Sequence, residues 1–124
     1  MRALSIRQPW AWAILHAGKD VENRSWRTSY RGPLLIHASK RVEAFSPELI
    51  RYMGMRGATI EQLAEWLDLP TGGIVGVVDV VGCSRGVNGS CWAMSDQWHW
   101  ELANPRVLPF EPMKGRLGLW EPER

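Results

Sequence analysis

The chain has no run of roughly 18 apolar residues, and the opening Met1 to Arg7 lacks the apolar stretch of a signal peptide. Neither a membrane span nor export is expected, and the reading is a cytoplasmic protein. Cysteine is scarce: Cys83 and Cys91 are the only two, and without a secretory signal they are expected as free thiols. Two thiols without a nearby His pair cannot close a tetrahedral zinc site, so no metal or other cofactor is expected. Also missing are a P-loop, a dinucleotide-binding glycine motif, a zinc-deaminase signature and a nucleophile elbow. These absences exclude several enzyme classes and identify none.

What is present suits one folded domain spanning residues 1–124. Apolar residues make up 45% and charged residues 23% of the chain, ordinary globular usage that excludes a disordered or coiled-coil chain. Net charge is only +2, yet residues 1–42 hold eight Lys/Arg against two acids, and residues 43–68 hold two against five. Phosphate affinity follows clustered charge rather than the total, so the basic third is a candidate anion-binding face; scattered solvated arginines are the other explanation. Eight tryptophans exceed what a small core needs, and some are candidate stacking platforms.

Leu4-Ser5-Ile6 reads as a short strand. Gln8-Pro9 opens a helix with Pro9 in its first turn, and Gly18 ends it. Within it Trp10, Ala13, Ile14 and Ala17 form an apolar stripe, widened by Trp12 and Leu15, which predicts burial. Asp20 to Trp26 and Leu34 to Ala38 read as strands. Ser46-Pro47-Glu48 and the Thr59/Gln62 capping box start two short helices over roughly 47–67. The β-branched run Ile74 to Val81 predicts a central strand, and Gly82 to Ser90, with Asn88-Gly89, a turn region. Trp98 to Leu102, Val107-Leu108 and Leu117 to Trp120 complete about six strands.

In an extended strand residues two apart share a face, so Glu22, Arg24 and Trp26 point one way. An acid, a guanidinium and an indole together suit a nucleobase and its phosphate. The same spacing fits a structural pairing of Glu22 with Arg24, with Trp26 covering the end of the sheet. Lys19 follows Gly18, where a left-handed turn can aim its ammonium beside the helix. A lysine at its ordinary value of about 10.4 is charged at pH 7, which favours a binding role over that of general base. Asp79 interrupts the valine run and needs a cation or the surface to stay ionised. His37 and His99 are weak signals, because no Ser, Cys or second His lies near either at nucleophile or metal spacing.

Leu4-Ser5-Ile6-Arg7-Gln8-Pro9-Trp10-Ala11 and Gly18-Lys19-Asp20-Val21-Glu22-Asn23-Arg24-Ser25-Trp26 together resemble the ASCH (activating-signal-cointegrator homology) domain family. The resemblance continues through Arg31 to Ala38, Gly73 to Asp79, Lys114-Gly115-Arg116 and Leu119-Trp120, nearly the whole chain. It implies an α+β fold: a small mixed β-barrel of the PUA-like type with about three short helices around it. It also implies a cleft beside the first helix that takes RNA, another nucleic acid or a nucleoside-like small molecule. On this chain that cleft is expected to be lined by Gln8, Trp10, Lys19, Glu22, Arg24, Trp26 and Lys114.

Some relatives are similar to ribonucleases, and others deacetylate N4-acetylcytidine with a Lys, Thr and Glu set. Here the threonine's place falls near Glu22, so that set does not transfer intact. The leading expectation is a nucleic-acid or modified-nucleoside binding module. A metal-independent hydrolase using Lys19 and Glu22 is the second, and a protein-interaction domain using the acidic helices and surplus tryptophans the third.

Overall fold

The structure, a computed structural model, describes residues 1–86 and 89–123. The chain runs β1 (Arg2–Gln8), α1 (Trp10–His16), β2 (Val21–Arg24), β3 (Gly32–Val42), α2 (Pro47–Met55), α3 (Ile60–Ala64), a 3-10 turn (Glu65–Asp68), β4 (Gly73–Arg85), β5 (Trp98–Pro112) and β6 (Leu119–Trp120). Part of the turn expected at Asn88-Gly89 lies outside the described residues. The strands form one sheet in the order β2-β5-β4-β3-β1-β6. β1 and β3 pair in parallel, which requires a crossover, and α1 with β2 supplies it. The other four junctions are antiparallel.

The helix starts follow the capping residues. Ser46 Oγ accepts from the Leu49 amide, and Thr59 and Gln62 form a reciprocal capping box. At α1 Pro9 stands just before the helix instead of in its first turn, and Gln8 Oε1 accepts from the Trp12 amide at 2.9 Å. Gly18, at φ +73°, ends that segment and turns the chain into β2.

β1 and β3 are buried on both faces, so their residues alternate between two clusters. Leu4, Ile6, Leu34 and Ile36 pack with Ala11 and Ile14 of α1 and with Trp100, while Ala3, Leu35, Ile74 and Trp120 pack on the opposite face. A third cluster joins Trp12 and Ala13 of α1 to Met53, Trp66 and Trp92. Fully burying one large apolar side chain stabilises by roughly 1.5–3 kcal/mol, so α1, held between two clusters, is firmly seated.

The mixed sheet and three helices agree with the α+β expectation, but the closed barrel does not form. β2 and β6 are the sheet's edges, and no backbone ladder joins them among the described residues. β6 is only two residues long, too short to carry the pairing around. The sheet instead curls until Arg24 Nη2 on β2 donates to the Ser5 carbonyl on β1 at 2.9 Å, across three intervening strands. A side chain spans the gap that backbone pairing leaves. β5 also passes through Asn104-Pro105, where two short strands were expected, because Asn104 at φ 54° and register shifts against β4 absorb the bend. No helix among the described residues is long and apolar enough to cross a membrane.

Candidate functional site

A cleft of ≈1390 Å³ opens where the curled sheet brings β2 towards β1 and β3. Its lining includes six Lys/Arg (Arg7, Arg24, Lys40, Arg41, Lys114 and Arg116) and two acids, Glu22 and Glu43. Both acids are already engaged by cations: Glu43 lies 3.5 Å from Arg7, and Glu22 is held by Lys19 and Arg24. No salt bridge among the described residues engages Lys40, Arg41, Lys114 or Arg116. Among the described residues, the lining therefore holds more cations than acids.

Its deepest charged group is a triad of side chains from one stretch of chain. Lys19 Nζ donates to Glu22 Oε1 at 3.0 Å and to the Val21 carbonyl; Arg24 Nε and Nη2 both approach Glu22 Oε2, at 3.0 and 2.9 Å. The turn at Gly18 makes this possible, since Lys19 and Glu22 would face opposite sides of a regular strand. Burial acts to raise the Glu22 carboxyl pKa, but the charges and hydrogen bonds of Lys19 and Arg24 outweigh it and hold the group below its ordinary value. Two cations meet one carboxylate, so the buried cluster keeps a net charge of +1.

Two tryptophans line the same cleft. Trp26 rests edge-on against the fully buried Trp100, ring centroids 4.7 Å apart, yet stays 37% exposed, which leaves indole surface for a ligand. Trp10 is half-buried, set edge-on against Tyr52, with Lys19 Nζ 5.9 Å from its ring centroid.

Of the residues expected in the site, the structure brings Trp10, Glu22, Arg24, Trp26 and Lys114 to the cleft wall. Lys19 sits behind Glu22, 5% exposed and outside the lining. Gln8 is also outside it: Oε1 caps α1 and Nε2 donates to the Pro70 carbonyl, so both ends of its amide serve the fold.

The fold adds residues that no spacing suggested. Ser5 and His37 are register partners across β1 and β3, and Ser5 Oγ lies 3.0 Å from His37 Nδ1. Both line the cleft, so His37 does have a serine neighbour, one 32 positions away in sequence. His37 Nε2 donates to the Met113 carbonyl at 2.7 Å. Gly115 closes over the pair: a Cβ there would lie 2.7 Å from Ser5 Oγ and 2.8 Å from His37 Cε1, so a side chain would collide. Ser39, Lys40 and Arg41 of β3 join the wall for the same reason, since only the pairing of β1 with β3 places them there.

Other singled-out residues have local roles. Asp79 accepts from Asn104 Nδ2 at 3.0 Å and from Arg106 Nη2 at 3.1 Å, an exposed pair at the bend of β5. His99 is fully buried and donates from Nε2 to the Met94 carbonyl.

Comparison with known proteins bears on the same stretch of chain. The family model of the ASCH domain matches residues 4–113. The chain is 36% identical over 85 residues to Activating signal cointegrator 1 of Homo sapiens, and 36% identical over 83 residues to that of Mus musculus. Each match covers 64% of this chain and 14% of the relative, so this chain aligns with about a seventh of either protein.

Proposed function

The chain belongs to the ASCH domain family, and from that membership and the charge of its cleft we propose that it is a nucleic-acid-binding module holding single-stranded RNA or a nucleobase-bearing ligand beside α1. We take the curled sheet as an opened form of the PUA-like barrel that the resemblance implies. The observation that carries the reading is the pairing of cations without a salt bridge among the described residues with accessible indole in one cleft: Lys40, Arg41, Lys114 and Arg116 for phosphates, the exposed Trp26 and the half-buried Trp10 for bases. Stacking contributes about 1–3 kcal/mol per base and is tolerant of sequence, while phosphate contacts make affinity fall with salt. Arg24, anchored to Glu22 and to the Ser5 carbonyl, fixes the geometry between the two kinds of contact.

Binding is favoured over hydrolysis by the position of Lys19. Its ammonium is tied to Glu22 and the Val21 carbonyl and lies outside the cleft lining, which suits a positioning role better than direct contact with a ligand. A hydrolase built on Lys19 and Glu22 would need that ammonium at the substrate.

The test is a fluorescence-anisotropy titration of a short labelled single-stranded RNA at several salt concentrations. We expect log affinity to fall linearly with log salt, Lys114→Ala to reduce the slope by about 0.7, and Trp26→Ala to weaken binding at every salt. Affinity indifferent to salt and to both substitutions would overturn the reading.

A further inference from the structure

Ser5, His37 and the Met113 carbonyl form a chain of hydrogen bonds that ends in the cleft, and its direction follows from one chemical fact. A carbonyl oxygen only accepts. Met113 O, 2.7 Å from His37 Nε2, therefore requires the proton on Nε2. In a ring that carries one proton, Nδ1 is then an acceptor. Ser5 Oγ, 3.0 Å from Nδ1, must donate its only proton to it. What Ser5 offers the cleft is lone pairs alone.

We propose that Ser5 Oγ is an acceptor subsite that selects ligands presenting an N–H, in the first place the edge N–H of a nucleobase; this rests on the nucleic-acid reading above. Three further observations support it. Ser5 is partly exposed and lines the same cleft as Trp10 and Trp26. His37 is 2% exposed and set edge-on against Trp120, so the ring that orients the serine proton is itself held in place. The Arg24 guanidinium donates from Nη2 to the Ser5 backbone carbonyl and from Nε to Glu22, while its Nη1 makes no hydrogen bond among the described residues and stays a donor near Ser5. An acceptor and a donor side by side match a base edge that carries an N–H next to a carbonyl or ring nitrogen. Glu22 already accepts from Lys19 and Arg24, whereas Ser5 Oγ accepts from no group among the described residues.

The experiment compares four single-stranded RNA homopolymers with counterparts whose base-edge N–H groups are methylated: 3-methyluridine, N4,N4-dimethylcytidine, N6,N6-dimethyladenosine, and guanosine methylated at N1 and twice at N2. Each methylated strand keeps its phosphates and its stacking face. For the parent protein, above pH 7, at least one pair is expected to differ by about fivefold to tenfold, the worth of one hydrogen bond. In Ser5→Ala the unmethylated strand is expected to bind as weakly as its methylated partner, with the salt slope unchanged. A two-bond 15N–1H correlation spectrum of the unliganded protein checks the relay separately, and a proton found on His37 Nδ1 rather than Nε2 overturns the proposal. So does salt-dependent binding of all eight strands with no N–H discrimination, or discrimination that survives Ser5→Ala. Loss of salt-dependent binding altogether would overturn the underlying nucleic-acid reading instead.

Discussion

Glu22 and Asp79 are each held by an arginine, and each carboxyl lies below its ordinary pKa, but they sit in opposite environments and do different things. Asp79 lies on β4 beside the bend of β5, where the hydrogen bond from Asn104 and then that from Arg106 lower its pKa in the face of open solvent. Glu22 is buried on β2, where desolvation works against ionisation and only two adjacent cations overcome it. The exposed pair ties down a bend that the backbone has already made. The buried cluster fixes the floor of a cleft, and through Arg24 it joins two strands that share no ladder. A carboxylate paired with an arginine is thus a surface tie in one place and a framework in the other, and burial decides which.

The largest way to break this contrast is Glu22→Gln. It leaves Lys19, which is 5% exposed, with no opposing charge, and removing one partner of a buried pair costs about 3–5 kcal/mol. Urea unfolding should show a loss of that size.

The acid response comes next. Because the folded Glu22 value is lowered from 4.5, its contribution is fully present above that ordinary value and is lost as pH falls through the folded one. The parent should lose stability through this window below about pH 4.5, and Glu22→Gln should show a shallower pH dependence there, read from urea midpoints at successive pH values.

Lys19→Met should cost less than Glu22→Gln, about 1–3 kcal/mol, because Arg24 still neutralises the carboxylate and the loss is confined to the hydrogen bonds of Lys19. Equal losses in the two variants would mean that Lys19, and not the carboxylate, is the centre of the cluster. The smallest effect belongs to Asp79→Asn, which should leave the melting temperature nearly unchanged at physiological salt, where an exposed pair is screened. A loss comparable with that of Glu22→Gln would erase the contrast.

The sequence carried the elements well where a local device makes them: the caps at Ser46 and Thr59, the left-handed glycine after α1, and the apolar run of β4. It carried Glu22 and Arg24 through strand periodicity, and the meeting of Lys19 with Glu22 through Gly18, but Trp26 lies in a bend past the end of β2, where strand alternation no longer applies. Sheet closure was not legible, because it depends on whether β2 and β6 meet, a property of accumulated curl rather than of any segment. Ser5 with His37 was hidden for a related reason: the two touch only because β1 and β3 pair in parallel, and a crossover's register leaves no mark on either strand. Gln8 is the reverse case, since nothing in the sequence showed that the start of α1 would claim its carbonyl oxygen and Pro70 its amide nitrogen.

The central claim is that a nucleic acid lies in the cleft between β2 and β1. Photocrosslinking with a single-stranded RNA carrying 4-thiouridine, followed by mass spectrometry of the linked peptides, tests it most directly. The account predicts adducts on the peptides that carry Trp10, Trp26 and Lys114. Adducts confined to α2 and α3, or to the β4–β5 bend around Asp79, would contradict it.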